Sequence, residues 1–470
     1  MTSPHLDPEV FSGHLDRTRW FGGKGRPYAV TDVRTLGALA GGPPVVVIHL
    51  VEVSYVDSDP SARPGQEPAK ELYQVPLAYY REPEHRLDHA FVGWWEDPDL
   101  GWVHAYDALH DRAAMALWQR AFDTPSEGAT GLQFHRLPGH ELDLEAHSTL
   151  FSGEQSNSSV AFGEDALMKV FRKVTPGVNP DIAVHEVLTK AGSEHVAKLY
   201  GWLEFDDGGE RLQLAMLQQF LRTASDGWDL ALASVRSLFA DPEVHANESG
   251  GDFAGEATRL GEALREVHED LRKHFPVETR PAAAAAELAA TMTGRLEAAL
   301  GVVPELAEHG SALRSAFNAV SKLDGLDVQQ IHGDLHLGQT LRTSHGWKIV
   351  DFEGEPAKPL AERQLPDSPW RDVAGMLRSF DYAARVVERT LGTSDEADAE
   401  LIDTRAQEWS ERNKNHFLTA YAGGALAPEE QRLLDAYVAD KAVYETVYET
   451  RNRPSWVAIP LQAVARIGAA

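Results

Sequence analysis

Two short segments in the C-terminal half carry residues whose types and spacing suit phosphoryl transfer. The first is residues 331–339, Ile-His-Gly-Asp-Leu-His-Leu-Gly-Gln, called here the His-Gly-Asp loop; the second, Asp351-Phe352-Glu353, begins twelve residues after Gln339. In phosphoryl transfer one carboxylate accepts the proton of the attacking hydroxyl, while another, with an amide or carboxylate neighbour, holds a divalent cation on the phosphates. The apolar residues 347–350 predict a strand that leads into Asp351, so we expect both carboxylates to converge on one site across a hairpin.

Such chemistry also needs a cation upstream, and the predicted strand at residues 167–172 supplies Lys169. A lone lysine in a strand is usually only solvated, but a small, polar segment at residues 152–159 precedes this one. Its composition favours a hairpin that covers phosphates with backbone N–H groups and hydroxyls, with Ser156, Asn157 and Ser158 as candidates. No Gly-Lys-Ser/Thr follows the segment, so it is not a Walker loop.

Two further elements follow this strand. Residues 180–191 predict a helix whose only glutamate is Glu186. At residues 216–221 strand character gives way to helical character.

Composition limits the classes of function. The 470 residues carry 44 basic and 72 acidic side chains, a net charge of −28, which argues against nucleic acid or an anionic membrane as the main partner. The chain has no cysteine, and no segment reaches the roughly 20 apolar residues of a membrane-spanning helix. We therefore expect a cytoplasmic protein of more than one domain, without disulfides or thiolate metal sites.

Three regions differ in pattern. Residues 1–145 alternate β-rich runs with polar Pro/Gly segments, residues 146–223 continue as strands with one inserted helix, and residues 224–470 are mostly helical. The predicted helices include residues 107–121, 180–191, 256–271, 282–299, 312–323, 404–422 and 428–451.

The His-Gly-Asp loop with its Asp-Phe-Glu partner resembles the catalytic and metal-binding loops of the aminoglycoside phosphotransferase-like kinases, relatives of the protein kinases. The resemblance implies an α+β, bilobal protein-kinase-like fold with a β-rich N-lobe and a mostly helical C-lobe. It implies ATP as co-substrate and Asp334 as catalytic base, with Mg²⁺ held by Gln339 and Asp351 and assisted by Glu353. It also implies Glu186 as the acidic partner of Lys169, and an adenine-contacting segment at residues 216–221 with Gln218 and Phe220 as candidates that act through backbone groups. Most of that superfamily has asparagine where this chain has Gln339.

Longer matches across the chain are similar to actinobacterial maltokinases, which use ATP and magnesium to phosphorylate the anomeric hydroxyl of maltose. They cover residues 19–26, 154–157, 170–172, 176–181, 250–256, 351–356, 366–369, 371–379, 440–445 and 448–451. The resemblance makes residues 1–145 an N-terminal cap and implies an association with α-glucan or trehalose enzymes. Glucosamine kinases share the same frame, so an amino-sugar kinase that forms the 6-phosphate is the alternative.

A sugar site is expected in the helical half beside Asp334. Its candidates combine aromatic planes with charged groups that suit a polyhydroxylated ring: they are His336, Asp440, Lys441, Tyr444, Glu445, Glu449 and Arg451. The competing interpretation is a salt-bridged helix packed on tyrosines. Three residues nearby, His332 and the sequence Arg371-Asp372, are interpreted as support that holds the loop.

A different class of function stays open. The family places a glutamate where this chain has Ala183, and Glu186 lies one turn later, so the chain could be a kinase-shaped nucleotide-binding module without activity. An antibiotic phosphotransferase ranks behind the sugar kinases, because the region of residues 1–145 and the C-terminal helix are unlike resistance enzymes.

Overall fold

The computed structural model describes residues 6–39, 41–55, 70–125, 131–151, 157–241, 243–355, 358–391 and 396–469. The chain divides into two compact units. The sheet unit comprises Met1–Ala183 and Ala197–Arg222, and the helical unit comprises Val184–Val196 and Thr223–Ala470. Within the described part of the chain, no helix has the length and apolar character needed to cross a membrane.

The strands of the described residues are β1 (Tyr28–Leu39), β2 (Val45–Tyr55), β3 (Lys70–Tyr80), β4 (Phe91–Asp97), β5 (Gly101–Asp107), β6 (Leu132–Arg136), β7 (Ser148–Leu150), β8 (Ser158–Phe162), β9 (Ala166–Val170), β10 (Lys173–Val174), β11 (Leu199–Asp207), β12 (Glu210–Gln219), β13 (Ser225–Asp226), β14 (Glu278–Pro281), β15 (Gly325–Val328), β16 (Thr340–Thr343) and β17 (Gly346–Ile349).

The helices are α1 (Pro8–Arg17), α2 (Arg112–Asp123), α3 (Pro180–Ala191), α4 (Gly227–Phe239), α5 (Ala254–His274), α6 (Ala282–Leu300), α7 (Gly310–Val320), α8 (Leu360–Arg363), α9 (Trp370–Leu391), α10 (Glu396–Ala422), α11 (Pro428–Asn452) and α12 (Ala458–Ala469).

Two antiparallel sheets form the sheet unit. The first has the order β1-β2-β3-β5-β4, with β10 paired to β3, and the second has the order β6-β11-β12-β9-β8-β7. Because β10 directly follows β9 in the chain, it ties the two sheets together through main-chain hydrogen bonds. Arg172, between β9 and β10, is fully buried and donates to both carboxylate oxygens of Asp107, at the end of β5.

A single large apolar core holds the helical unit together. It joins α4, α5, α6, α7, α9, α10 and α11 with the later part of α3, and β17 packs on it through Trp347 and Ile349. The hairpin β16–β17 pairs Thr340 with Ile349 and Thr343 with Gly346. This hairpin connects the His-Gly-Asp loop to Asp351, as the sequence predicts.

Most predicted helices are present, with shifted ends. α3 has the predicted bounds, whereas α10 begins at Glu396 rather than at 404. Residues 107–111 of the predicted helix at 107–121 form a strand end and a 3₁₀ turn instead, so α2 begins at Arg112. The predicted boundary at residue 145 does not coincide with a sheet boundary, since β6 already belongs to the second sheet.

Candidate active site

The His-Gly-Asp loop is anchored by one buried carboxylate. Asp372, in the first turn of α9, is 1% exposed and accepts hydrogen bonds from the backbone N–H of His332 (2.7 Å) and of Gly333 (2.9 Å). Burial alone would raise the pKa of Asp372, yet the hydrogen bond from His268 and the neighbouring donors hold that pKa below its ordinary value. Asp372 is therefore an ionised anchor for the loop backbone, which confirms the supporting role predicted for it.

The imidazole of His332 closes the loop from the other side. Its Nε2–H donates to the carbonyl of Val350 at 2.9 Å, which leaves Nδ1 to accept from the N–H of Asp334 at 3.3 Å. The ring also packs on Phe352 at 4.9 Å between centroids. His332 thus joins the loop to the chain around Asp351, so the prediction that it holds the loop is confirmed.

Close backbone packing fixes the second half of the loop. A Cβ atom on Gly375 of α9 would lie 2.5 Å from the carbonyl oxygen of Leu335, so only glycine allows this approach. His336 caps the 3₁₀ turn Leu337–Gln339 by accepting from the N–H of Gly338 at Nδ1. Burial lowers the pKa of His336 against the attraction of Asp334, which keeps the ring neutral and able to accept.

Asp334 projects from this fixed loop towards a lysine on α11. Its Oδ1 lies 3.5 Å from Nζ of Lys441, and both side chains are partly exposed, at 25% and 34%. The Lys441 ammonium also lies 5.3 Å from the centroid of the Tyr444 ring. A carboxylate, a cation and an aromatic plane therefore share one accessible surface.

Oxygen-bearing side chains meet where the hairpin ends. Nε2 of Gln339 donates to Oδ2 of Asp351 at 3.2 Å, and carboxylate oxygens of Asp351 and Glu353 lie within 4.8 Å of each other. Asp351 has φ +67°, a left-handed conformation that is rare outside glycine and concentrates at functional sites. The two carboxylates are the kind of oxygen ligand that Mg²⁺ prefers, whereas the Gln339 amide turns its nitrogen towards Asp351.

Lys169 lies on the inner strand β9 of the second sheet, between β8 and β12. Its Nζ donates to Oδ2 of Asp181 at 2.9 Å, and Asp181 is 2% exposed in the first turn of α3. Glu186 instead accepts from Lys190, one turn further along the same helix. The acidic partner of Lys169 is therefore Asp181, which corrects the prediction of Glu186.

The predicted phosphate hairpin is described only in part. Ser156 lies outside the described residues, and Asn157 is half-buried just before β8. Ser158 is buried at the start of β8, where its hydroxyl accepts from Nε of Arg172 at 2.9 Å. That hydroxyl is committed to the interior, which corrects the expectation that it faces phosphates.

The predicted adenine segment lies at the end of β12. Gln218 pairs within the sheet with Leu167 and Leu199, so its backbone is held on both sides. The N–H of Phe220 donates to the carbonyl of Asp165 at 3.1 Å. Of the groups predicted to contact adenine, the Phe220 N–H is therefore already committed within the sheet unit.

The acceptor candidates on α11 divide into a buried group and an exposed group. Glu445 accepts two hydrogen bonds from the buried Arg378, and Glu449, 1% exposed, accepts from Arg453 and from Tyr382. Both carboxylates are buried and paired with arginines, of which Arg378 is buried and Arg453 is exposed. Their burial corrects the prediction that they face a sugar.

The remaining candidates on α11 are at least partly exposed. Tyr444 and Tyr448 stack at 6.2 Å between centroids on the face that also carries Lys441, and Arg451 is exposed. Asp440 forms a bidentate ion pair with Arg295. Of the candidates on α11, Lys441 thus lies beside Asp334, and Tyr444 lies beside Lys441.

Sequence reasoning missed Asp181 as the acidic partner of Lys169. The signal was present, because Asp181 follows Asn179-Pro180, where proline favours the first turn of a helix and Oδ1 of Asn179 accepts from the N–H of Asp181. An acidic residue at that position is favoured by the helix dipole and stands on a fixed turn.

The sequence is similar to that of known sugar kinases. Residues 14–111 match the family model described as the maltokinase N-terminal cap domain. A glucosamine kinase of Streptacidiphilus jiangxiensis is 29% identical over 324 residues, which cover 65% of this chain and 70% of that protein. A glucosamine kinase of Mycolicibacterium smegmatis is 25% identical over 320 residues, covering 65% of this chain and 76% of the relative.

Solved structures share the fold over nearly the whole chain. A glucosamine kinase in crystal form B superposes with a TM-score of 0.70 at 21% identity and covers 99% of this chain and 98% of its own. A glucosamine kinase in complex with glucosamine, ADP and inorganic phosphate gives a TM-score of 0.68 at 22% identity, covering 97% and 99%. The fold is thus the predicted α+β, kinase-like one, and the chain is similar to maltokinases in its cap region and to glucosamine kinases over 65% of its length.

Proposed function

We propose that this protein is an ATP-dependent sugar kinase that transfers the γ-phosphoryl group of ATP to a sugar hydroxyl. The observation that carries the proposal is the His-Gly-Asp loop, which Asp372 fixes so that Asp334 stands on an accessible surface beside Lys441. A positioned carboxylate next to a cation is suited to accept a hydroxyl proton while the hydroxyl oxygen attacks phosphorus.

Each side chain has a defined part in this proposal. Asp334 accepts the proton of the sugar hydroxyl as the new O–P bond forms and the bond to ADP breaks. Lys441 hydrogen-bonds the acceptor or the carboxylate, and the Tyr444 ring offers a plane to the sugar. In the sheet unit, Lys169 contacts the α- and β-phosphates, oriented by its ion pair with Asp181.

Gln339, Asp351 and Glu353 are the proposed magnesium ligands. Carboxylate oxygens of Asp351 and Glu353 lie within 4.8 Å of each other at the end of one hairpin, and the left-handed backbone at Asp351 orients its carboxylate. The side-chain amide of Gln339 contacts Asp351 through its nitrogen, so rotation of the amide brings its oxygen to the cation. When bound, Mg²⁺ supplies charge neutralisation for the phosphate oxygens.

The proposed acceptor is glucosamine, because the two relatives named above are glucosamine kinases. Maltose, ranked first by the sequence, is the second candidate, favoured by the match to the maltokinase cap domain. The side chains do not favour the amino sugar by themselves, since Glu445 and Glu449 already pair with arginines.

The deciding experiment measures ADP release with glucosamine, maltose and glucose in competition, followed by phosphorus NMR of the product. A 6-phosphate on glucosamine supports the first acceptor, and an anomeric phosphate on maltose supports the second. Normal ATP binding without turnover on any of these sugars would contradict the kinase proposal and favour an inactive nucleotide-binding module.

The metal site has its own test. Asp351→Ala should weaken ATP binding in the presence of Mg²⁺ by at least about tenfold, because one charged ligand of the cation is lost. Calorimetric titration with and without the metal measures this difference. Asp327→Ala, which removes an exposed carboxylate on β15, is the matched control. Equal magnesium-dependent affinity of the two variants would contradict the assignment.

A further inference from the structure

The hairpin β4–β5 presents two large aromatic side chains to solvent. Trp94 is 61% exposed and Trp102 is 55% exposed, although tryptophan is on average among the more buried residues. Their rings lie side by side, 5.0 Å between centroids and 35° apart. The pair therefore forms a nearly continuous aromatic surface on the cap.

The register of the hairpin adds polar groups to the same face. Trp94 pairs with His104, and Trp102 pairs with Glu96, so the four side chains alternate outward while their neighbours Trp95 and Val103 point into the core. Strand β4 is the last strand of its sheet, so the described strands leave this side of the hairpin without a neighbour. The face thus combines two indole planes with a carboxylate and an imidazole.

We propose that Trp94 and Trp102 form a carbohydrate-binding platform, which takes a chain of pyranose rings rather than the monomeric substrate. A pyranose ring has an apolar C–H face and a rim of hydroxyls. The indole planes suit the face, while Glu96 and His104 suit the hydroxyls. This inference does not depend on the proposed phosphoryl transfer.

Area and charge favour this occupant over others. Two tryptophans of about 250 Å² each, exposed by 61% and 55%, offer roughly 300 Å², well below the ~800 Å² that each partner buries in a standard protein interface. A chain with a net charge of −28 is repelled by anionic membrane surfaces, so a lipid surface is also disfavoured. A slender, uncharged polymer needs no more than this small platform.

The test uses the full chain and two soluble probes, maltoheptaose for α-1,4-linked glucose and cellohexaose for β-1,4-linked glucose. Quenching of tryptophan fluorescence and calorimetry measure binding. Saturable binding of either probe by the wild-type protein supports the platform, and the preferred linkage identifies the polymer. The double variant Trp94→Ala/Trp102→Ala should bind the preferred probe at least about tenfold more weakly, because both stacking planes are lost.

Two controls separate this loss from misfolding. Leu391→Ala removes another exposed apolar side chain, 48% exposed at the end of α9, and should bind like the wild type. The double variant should also keep the wild-type melting temperature and its phosphorylation rate on small sugars. No saturable binding of either probe up to about 10 mM, or equal affinity of the double variant, would overturn the proposal. A lower molar mass of the double variant in sedimentation would overturn it too, because the tryptophans would then cover a second copy of the chain.

Discussion

The His-Gly-Asp loop and helix α11 both supply predicted site residues, but they hold them in different ways. In the loop, Asp334 is positioned by backbone contacts to Asp372 and His332, so its side chain stays available. In α11, Lys441, Glu445 and Glu449 follow one another at one-turn spacing, yet Glu445 and Glu449 are buried whereas Lys441 stays partly exposed.

This comparison shows that the role of a charged residue near a site depends on whether another residue already neutralises its charge. Glu445 and Glu449 carry the same charge as Asp334, but Arg378 and Arg453 already satisfy them. Asp334 has only a 3.5 Å approach to a partly exposed lysine. We expect substitutions in the buried pairs of Glu445 and Glu449 to change stability, and substitutions at Asp334 and Lys441 to change kinetics.

The largest expected effect is that of Asp334→Asn. It should lower kcat by at least about 100-fold, because an amide cannot accept the hydroxyl proton, while ATP binding and melting temperature are retained. Steady-state kinetics and calorimetry measure the two quantities. Asp324→Asn, an exposed carboxylate in the same unit, is the control. Near-normal turnover of Asp334→Asn would remove the distinction drawn between loop and helix.

Arg378→Met tests the interior side of α11. It should destabilise the protein by about 3 kcal/mol, because Glu445 and Asp381 would be left as buried carboxylates without their arginine. Chemical unfolding measures this change. Arg412→Met breaks a partly exposed pair with Asp252 and should cost about 1 kcal/mol or less. A loss of kcat in Arg378→Met without a loss of stability would contradict the interior classification.

Lys441→Met tests the exposed side of the same helix. It should lower kcat/KM for the sugar by about tenfold with little change in stability, since one charge-assisted hydrogen bond is lost. Lys322→Met replaces an exposed lysine just after α7 and serves as the matched variant. If both lysine variants have the same kinetics, Lys441 belongs with the structural residues.

The smallest effect concerns the pH dependence of the loop. The pKa of His336 is lowered in the folded protein, so the unfolded chain binds the proton more readily. The stability that neutral His336 contributes is therefore complete above its ordinary pKa of 6.5 and is lost as the pH falls through the folded value. His336→Asn keeps the capping acceptor without titrating, and should remove a pH-dependent component of about 1 kcal/mol or less.

Melting curves of wild type and His336→Asn between about pH 7.5 and pH 5 measure this component. We expect the wild type to lose more stability than the variant on acidification. Parallel curves would show that His336 does not hold the loop through its neutral ring.

The order of the elements and the position of the loop could be predicted from the sequence. The few residues between the His-Gly-Asp loop and Asp351 form a short hairpin, which brings the end of the loop close to Asp351. The bounds of α3 followed from local signals in the same way. The approach of Gln339 to Asp351 was predictable, since the hairpin that joins them is encoded in the residues between them.

Interior pairings were not predictable, because they join residues far apart in the chain. Glu445 meets Arg378 across 67 residues, and Arg172 meets Asp107 across 65. Asp181 and Glu186 both fit the helix expected to pair with Lys169, and only the three-dimensional direction of each side chain selects Asp181.

Asp351 carries a further consequence of its left-handed backbone. A residue with φ +67° costs roughly 1–2 kcal/mol for most side chains, and least for glycine, asparagine and aspartate. A saturation library at this codon would therefore be filtered twice, once by folding and once by turnover. Branched residues such as valine should be depleted even from the pool of soluble variants, whereas asparagine and glycine should survive there and disappear only under selection for catalysis.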